Sequence, residues 1–132
     1  MRFLAMIRLN ENTGLIPSEQ LVRDMGALLD DMTREGTMVR TAPLRPTAEG
    51  VRVRQRHGQI VTTDGPFVET KEVVGGFAIL QAETMQDAVE LTKRFLRIHG
   101  DEWNIEIEVR PYGGPEVGAE ADARGDTPGL AR

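Results

Sequence analysis

Asp64, Glu69, Lys71 and Glu72 crowd into one short stretch, D-G-P-F-V-E-T-K-E, and His99 is one of two histidines in the chain. These are the groups able to hold or move a proton. A carboxylate serves as a general base when burial lifts its pKa toward neutrality. Gly65-Pro66 would aim Asp64 at low entropic cost, because proline restricts its own φ and the residue before it. Asp before Gly-Pro is equally a turn residue whose carboxylate accepts from nearby amides, so both readings of Asp64 stay open. Glu69 and Glu72 fall on opposite sides of an extended segment, which disfavours a paired-carboxylate glycosidase site. Lys71 reads as a solvated charge.

His99 follows an apolar helical stripe. There it suits the negative C-terminal end of a helix, or acid–base work with Asp64. His57 sits in an H-G turn and reads as plain surface. Two distant histidines and no cysteine give no metal-ligand spacing, and no phosphate-cradling glycine motif appears. The expectation is therefore no metal and no cofactor.

The elements that must position these groups follow from periodicity. Phe3, Ala5, Ile7 and Leu9 alternate with Leu4 and Met6, a strand apolar on both faces. Ser18 caps a helix carrying Leu21, Met25, Leu28, Leu29 and Met32 on one stripe, and Gly36 ends it. Met38–Leu44 reads as a strand whose inner side is left open by Arg40. V-R-V-R-Q-R, H-G and Q-I-V-T-T spell a hairpin over 51–62, with Arg52, Arg54 and Arg56 on one face. G-F-A-I-L-Q-A at 76–82 is a second strand apolar on both faces. Thr84 and Asp87 open a helix whose stripe is Ala88, Leu91, Phe95 and Ile98, stopped by Gly100. W-N-I-E-I-E-V-R is the last strand, with Trp103, Ile105, Ile107 and Val109 on one side.

This order predicts an α+β, ferredoxin-like split β-α-β sheet over residues 1–112, with an inserted hairpin. Strands apolar on both faces belong in the middle and charged ones at the edges, so the expected order is fourth, first, third, second. Residues 113–132 are glycine-rich, lack aromatics and read as a flexible tail. Connectivity gathers Arg8, Asn10, Asp64, Glu72, His99 and Trp103 at one end of the sheet, beside a cavity expected between helices and sheet. Asp64 and His99 are the catalytic candidates; Arg8, Asn10, Phe67, Glu72 and Trp103 are the ligand-binding ones.

Two helices cover one face of a four-stranded sheet, which leaves Leu4, Met6 and their neighbours bare. A soluble monomer rarely exposes such a stripe, so a homodimer sharing it is expected. Arg40, Arg52 and Arg54 facing Glu106 and Glu108 would help set its register.

The composition, 39% hydrophobic and 28% charged over 132 residues, is that of one globular domain. A net charge of −5 argues against general affinity for nucleic acid or anionic membrane. The arginine face lacks the interleaved aromatics of a nucleic-acid surface. No run approaches the roughly 20 apolar residues of a membrane span. The N-terminus lacks the pattern of a signal peptide. The absence of cysteine fits a reducing cytoplasm.

D-G-P-F followed by E-T-K-E and G-G-F resembles the YCII-related proteins, in the branch named for its DGPF motif. The resemblance covers about residues 1–112. It implies a dimeric α/β barrel related to muconolactone isomerase. It also implies a His–Asp acid–base pair in many members. Asp64 matches the Asp, but no histidine precedes His57 to match the His. Fusion of some DGPF-type members to sigma factors implies a partner near transcription initiation. Two functions follow: a dimeric small-molecule-binding or regulatory module, or a cofactor-independent isomerase or lyase with Asp64 as base.

Overall fold

The computed structural model describes residues 1–113, so the tail expected over 113–132 lies, Gly113 apart, outside the described residues. The elements run β1 (Arg2–Leu9), α1 (Glu19–Glu35), β2 (Met38–Pro43), β3 (Val51–Arg56), β4 (Gln59–Asp64), β5 (Val73–Gln81), α2 (Met85–His99) and β6 (Glu106–Pro111), with 3-10 turns at Thr47–Glu49 and Asp101–Trp103. The four-stranded sheet is ordered β2-β5-β1-β6 and is antiparallel throughout; β3 and β4 form a separate two-stranded sheet. The fold is the ferredoxin-like α+β sheet that the alternation predicts.

Local chemistry sets the helix limits. Ser18 Oγ accepts from Leu21 N at 3.0 Å, and Gly36 closes α1 in the left-handed region. Thr84 Oγ1 accepts from Asp87 N at 3.1 Å at the start of α2. Leu28 and Met32 of α1 and Ala88 of α2 pack on Phe3, Ala5, Ala78 and Leu80 of the two central strands. Ala88 is wholly buried, so α2 approaches the sheet there as closely as a methyl side chain allows.

The opposite face is a ladder of cross-strand pairs. Leu4 opposes Ile79 and Arg110, Met6 opposes Phe77 and Glu108, and Arg8 opposes Val74 and Glu106. Leu4, Met6, Phe77 and Ile79 are half-buried and no helix lies over them.

Two bulges explain where the strands depart from simple alternation. Met38 pairs with Leu80 and Arg40 with Ile79, so Val39 is the extra residue. That slip turns Met38 toward the core and Arg40 to the open face, which resolves the inner side of β2. Gly75 is the extra residue of β5, between Gly76 opposite Ile7 and Val74 opposite Arg8. Because the glycines are absorbed in this way, β5 begins at Val73 rather than at Gly76.

The last strand starts later than its alternation suggests. Trp103 lies in the 3-10 turn, and Asn104 adopts a left-handed backbone at φ 46° before β6 begins at Glu106. Asparagine tolerates that conformation, which breaks the period between Trp103 and Ile107.

Candidate functional site

The D-G-P-F corner is built by close approach to the turn at Thr47–Glu49. Gly65 N donates to Gly50 O at 2.9 Å. The Thr47 carbonyl oxygen lies 1.7 Å from where a Cβ on residue 65 would sit. Only glycine fits there, and the Gly65-Pro66 peptide bond is cis. Phe67 N donates to Thr47 Oγ1 at 3.3 Å. Thr47 in turn donates from its N to Glu11 Oε2 at 3.0 Å and from its hydroxyl to Glu11 Oε1. One carboxylate just beyond β1 thus anchors the turn that anchors the corner.

Arginines surround the corner. The Arg52 guanidinium lies 3.9 Å over the Phe67 ring, pairs with Glu69 and donates to Thr70 Oγ1 at 3.1 Å. The Glu69 carboxyl is held below its ordinary pKa by a backbone hydrogen bond and by Arg52. Arg45 pairs with Glu49 at 2.8 Å. Arg8 reaches Glu108 only at 3.9 Å.

Arg8, Arg45, Arg52 and Glu49 line an open cleft of about 520 Å³ at the end of the sheet. Arg8, Phe67 and Glu72 line it together, with Leu44, Val51 and Val74 as apolar wall. The volume falls in the range of small-molecule sites. Between the helices and the sheet, where a cavity was expected, the space is about 20 Å³ and lined by core side chains such as Leu28, Met32 and Phe95. That is room for about one water. Met32, Leu28, Leu91 and Phe95 fill the rest.

The remaining candidates lie elsewhere. Asp64 ends β4 opposite Val51, is exposed, and does not line the cleft. Asn10 is exposed and its Oδ1 accepts from Asn12 N at 2.8 Å, a turn contact. His99 stays at the end of α2, with Nδ1 3.1 Å from Phe95 O. Its ring stacks on Phe95 at 4.3 Å and meets the edge of Trp103 at 6.1 Å. The set therefore divides: Arg8, Phe67 and Glu72 converge, while His99 and Trp103 form an aromatic cluster of their own.

Arg45, Thr47 and Thr70, which line the cleft, and Glu11, which holds Thr47, are neighbours that sequence reasoning missed. No periodicity marks them, since all four sit in connecting segments. Among the described residues no group of three His, Asp or Glu side chains is placed to hold a metal. No helix among them is long and apolar enough to cross a membrane.

Residues 1–99 match the family model of the YCII-related domain. The chain belongs to the YCII-related family. This YCII-related chain is also 29% identical over 75 residues to an uncharacterized protein of Rhizobium meliloti (strain 1021). The match takes in 57% of the chain and 60% of that relative's length.

Proposed function

We propose that this YCII-related protein is a dimeric small-molecule-binding module whose ligand enters the cleft at the D-G-P-F corner. The observation that supports it is the meeting of Arg8, Arg45 and Arg52 with Phe67 and an apolar wall in one cleft of about 520 Å³. Arg45 and Arg52 are matched by Glu49 and Glu69, while Arg8 has only a long contact to Glu108. The ligand this chemistry suits is a small organic acid. Its carboxylate would meet Arg8 and its apolar body would lie on Phe67 and Val74. The half-buried stripe of Leu4, Met6, Phe77 and Ile79 supports a homodimer that pairs the open sheet faces.

Assignment to the DGPF branch rests on Asp64–Phe67 themselves. A sigma-factor partner is an implication of that resemblance, and the cysteine-free sequence suits the cytoplasm. Proton abstraction by Asp64 with His99 remains the alternative. It gains no support from the geometry, since Asp64 is exposed and His99 is occupied with Phe95 and Trp103.

Thermal-shift titration tests the binding reading, with benzoate, 2-oxoglutarate and inorganic phosphate as probes. A probe present at a hundred times its Kd stabilises by about 2.7 kcal/mol. The shift is expected for an organic acid with wild-type protein and to disappear in Arg8→Ala. No shift from any organic acid up to the millimolar range sinks the proposal.

A further inference from the structure

The hairpin β3–β4 has little support from its own chain. All twelve strand residues are exposed, and the hairpin makes no extensive contact with another strand or helix among the described residues. An isolated two-stranded hairpin is marginal in water. This one nevertheless presents three exposed apolar side chains on one side: Val51, Val53 and Ile60, 53%, 65% and 70% exposed, each opposed by a polar residue, Asp64, Thr62 and Gln55. The other side carries Arg52, Arg54 and Arg56.

The base of the hairpin is held firmly. Gly65 is pinned against Thr47 and Gly50, and Arg52 is tied to Phe67, Glu69 and Thr70. The hairpin therefore leaves the body in a set direction, with its apolar side uncovered. Its turn, His57-Gly58, has positive φ at both residues, the tight type that keeps two strands in register to the tip.

Three features of the chain point to what covers it. The first is area. A standard stable interface buries roughly 800 Å² of accessible surface per partner, and the exposed Val53 and Ile60 of the hairpin would add to what the open sheet supplies. The second is charge. Residues 51–64 hold three of the chain's 16 basic side chains and one of its 21 acidic ones. The hairpin is cationic while the body carries the acidic excess, and Arg54 and Arg56 have no ion pair within the described residues. The third is continuity. Val51 lines the same cleft as Val74, and Val74 shares the open face with Met6 and Phe77 through its pairing with Arg8. One apolar band runs from the sheet onto the hairpin.

We propose that β3–β4 is an exchange arm that packs Val53 and Ile60 on the body of a second copy of this chain. The proposal rests on the paired-sheet dimer above and adds to it a separate contact with its own residues. Each subunit reaches over the other, and the two arms are related by the dimer two-fold.

Sedimentation velocity from 0.1 to 100 µM, concentrations chosen about the usual Kd range, separates the arm from the sheet. The double variant V53D/I60D alters side chains that are exposed in the single chain, so its circular dichroism should match the wild type. Its dimer dissociation constant is expected to rise about 100-fold. M6D probes the sheet face alone. If M6D dissociates the dimer and V53D/I60D leaves it unchanged, the arm proposal is overturned and the paired sheet stands. If the wild type is a monomer throughout, both are overturned.

A second measurement does not depend on affinity. Because the chain has no cysteine, Ile60→Cys introduces a unique thiol for a benzophenone photo-crosslinker. Cross-linking to the body of a second copy supports the arm. Cross-links confined to the same chain overturn it.

Discussion

The carbonyl oxygen of Thr47 occupies the space that a side chain on Gly65 would need, 1.7 Å from the ideal Cβ position. The contact is backbone against backbone, so no rotamer change relieves it. The D-G-P-F corner therefore has a structural duty, holding the base of β3–β4 to the turn after β2, and its glycine is the residue that makes the approach possible.

Gly65→Ala should destabilise the protein by about 3 kcal/mol, seen as a fall in Tm of about 10 °C. Gly50→Ala is the control. Its added Cβ would lie 3.4 Å from the same carbonyl oxygen, and its φ of −106° is ordinary for any residue. Equal melting temperatures for Gly65→Ala and the wild type would show that the turn moves away freely.

Thr47 links Glu11 to Phe67 through one hydroxyl, which donates to the carboxylate and accepts from the amide. Thr47→Val leaves both partners without that bond at a part-buried site and should cost about 1–2 kcal/mol. Thr47→Ser should recover most of it. In a double-mutant cycle with Glu11→Ala the losses should fall short of additive by about 1 kcal/mol, because both variants remove the same link. Strict additivity would argue that the link contributes nothing.

Arg52→Ala removes an exposed stack on Phe67 and an exposed ion pair, together expected to change global stability by less than about 1 kcal/mol. Its effect should be local. Amide exchange at Thr70, whose N–H donates to Phe67 O at 3.1 Å, should accelerate while exchange in β1 and β5 stays unchanged. Unaltered exchange at Thr70 would mean that Arg52 does not order the cleft rim.

Arg94 joins the helices by pairing with Glu35 at 2.9 Å, and this hydrogen bond is the main reason the Glu35 carboxyl lies below its ordinary 4.5. A carboxyl whose pKa is lower folded than unfolded adds stability above the unfolded value, and that stability is lost as pH falls through the folded value. Arg94→Gln should therefore flatten the loss of stability below about pH 4.5 and leave the neutral-to-basic limb of the profile parallel to wild type. The site is open to solvent, so the change is small and needs urea melts across the acid range. An unchanged acid limb would contradict the pairing.

How much was legible in sequence varies with distance along the chain. Caps and the hairpin turn read correctly because they join neighbours: Ser18 to Leu21, Thr84 to Asp87, and the turn at His57-Gly58. Strand order was readable because two-sided apolarity reports burial on both faces, and Phe3–Leu9 and Phe77–Leu80 both show it. The gathering of candidates at one end of the sheet was readable only in part. Connectivity brings Arg8 near Glu72, but it does not say which side of the sheet a side chain takes. Arg8 faces away from the helices, whereas His99 sits on α2, the layer on the opposite side.

Amphipathic period and cap chemistry, both local, were enough to determine two helices, a four-stranded sheet, an inserted hairpin and a bare apolar face. The tertiary structure alone decided where a ligand has room. Glu11, Thr47 and Phe67 meet across separations of 36 and 20 residues, and the slip at Val39 turns Arg40 outward. Such contacts depend on how elements pack, because the sheet beneath a loop sets which distant segments lie beside it. No pattern within a single segment carries that information.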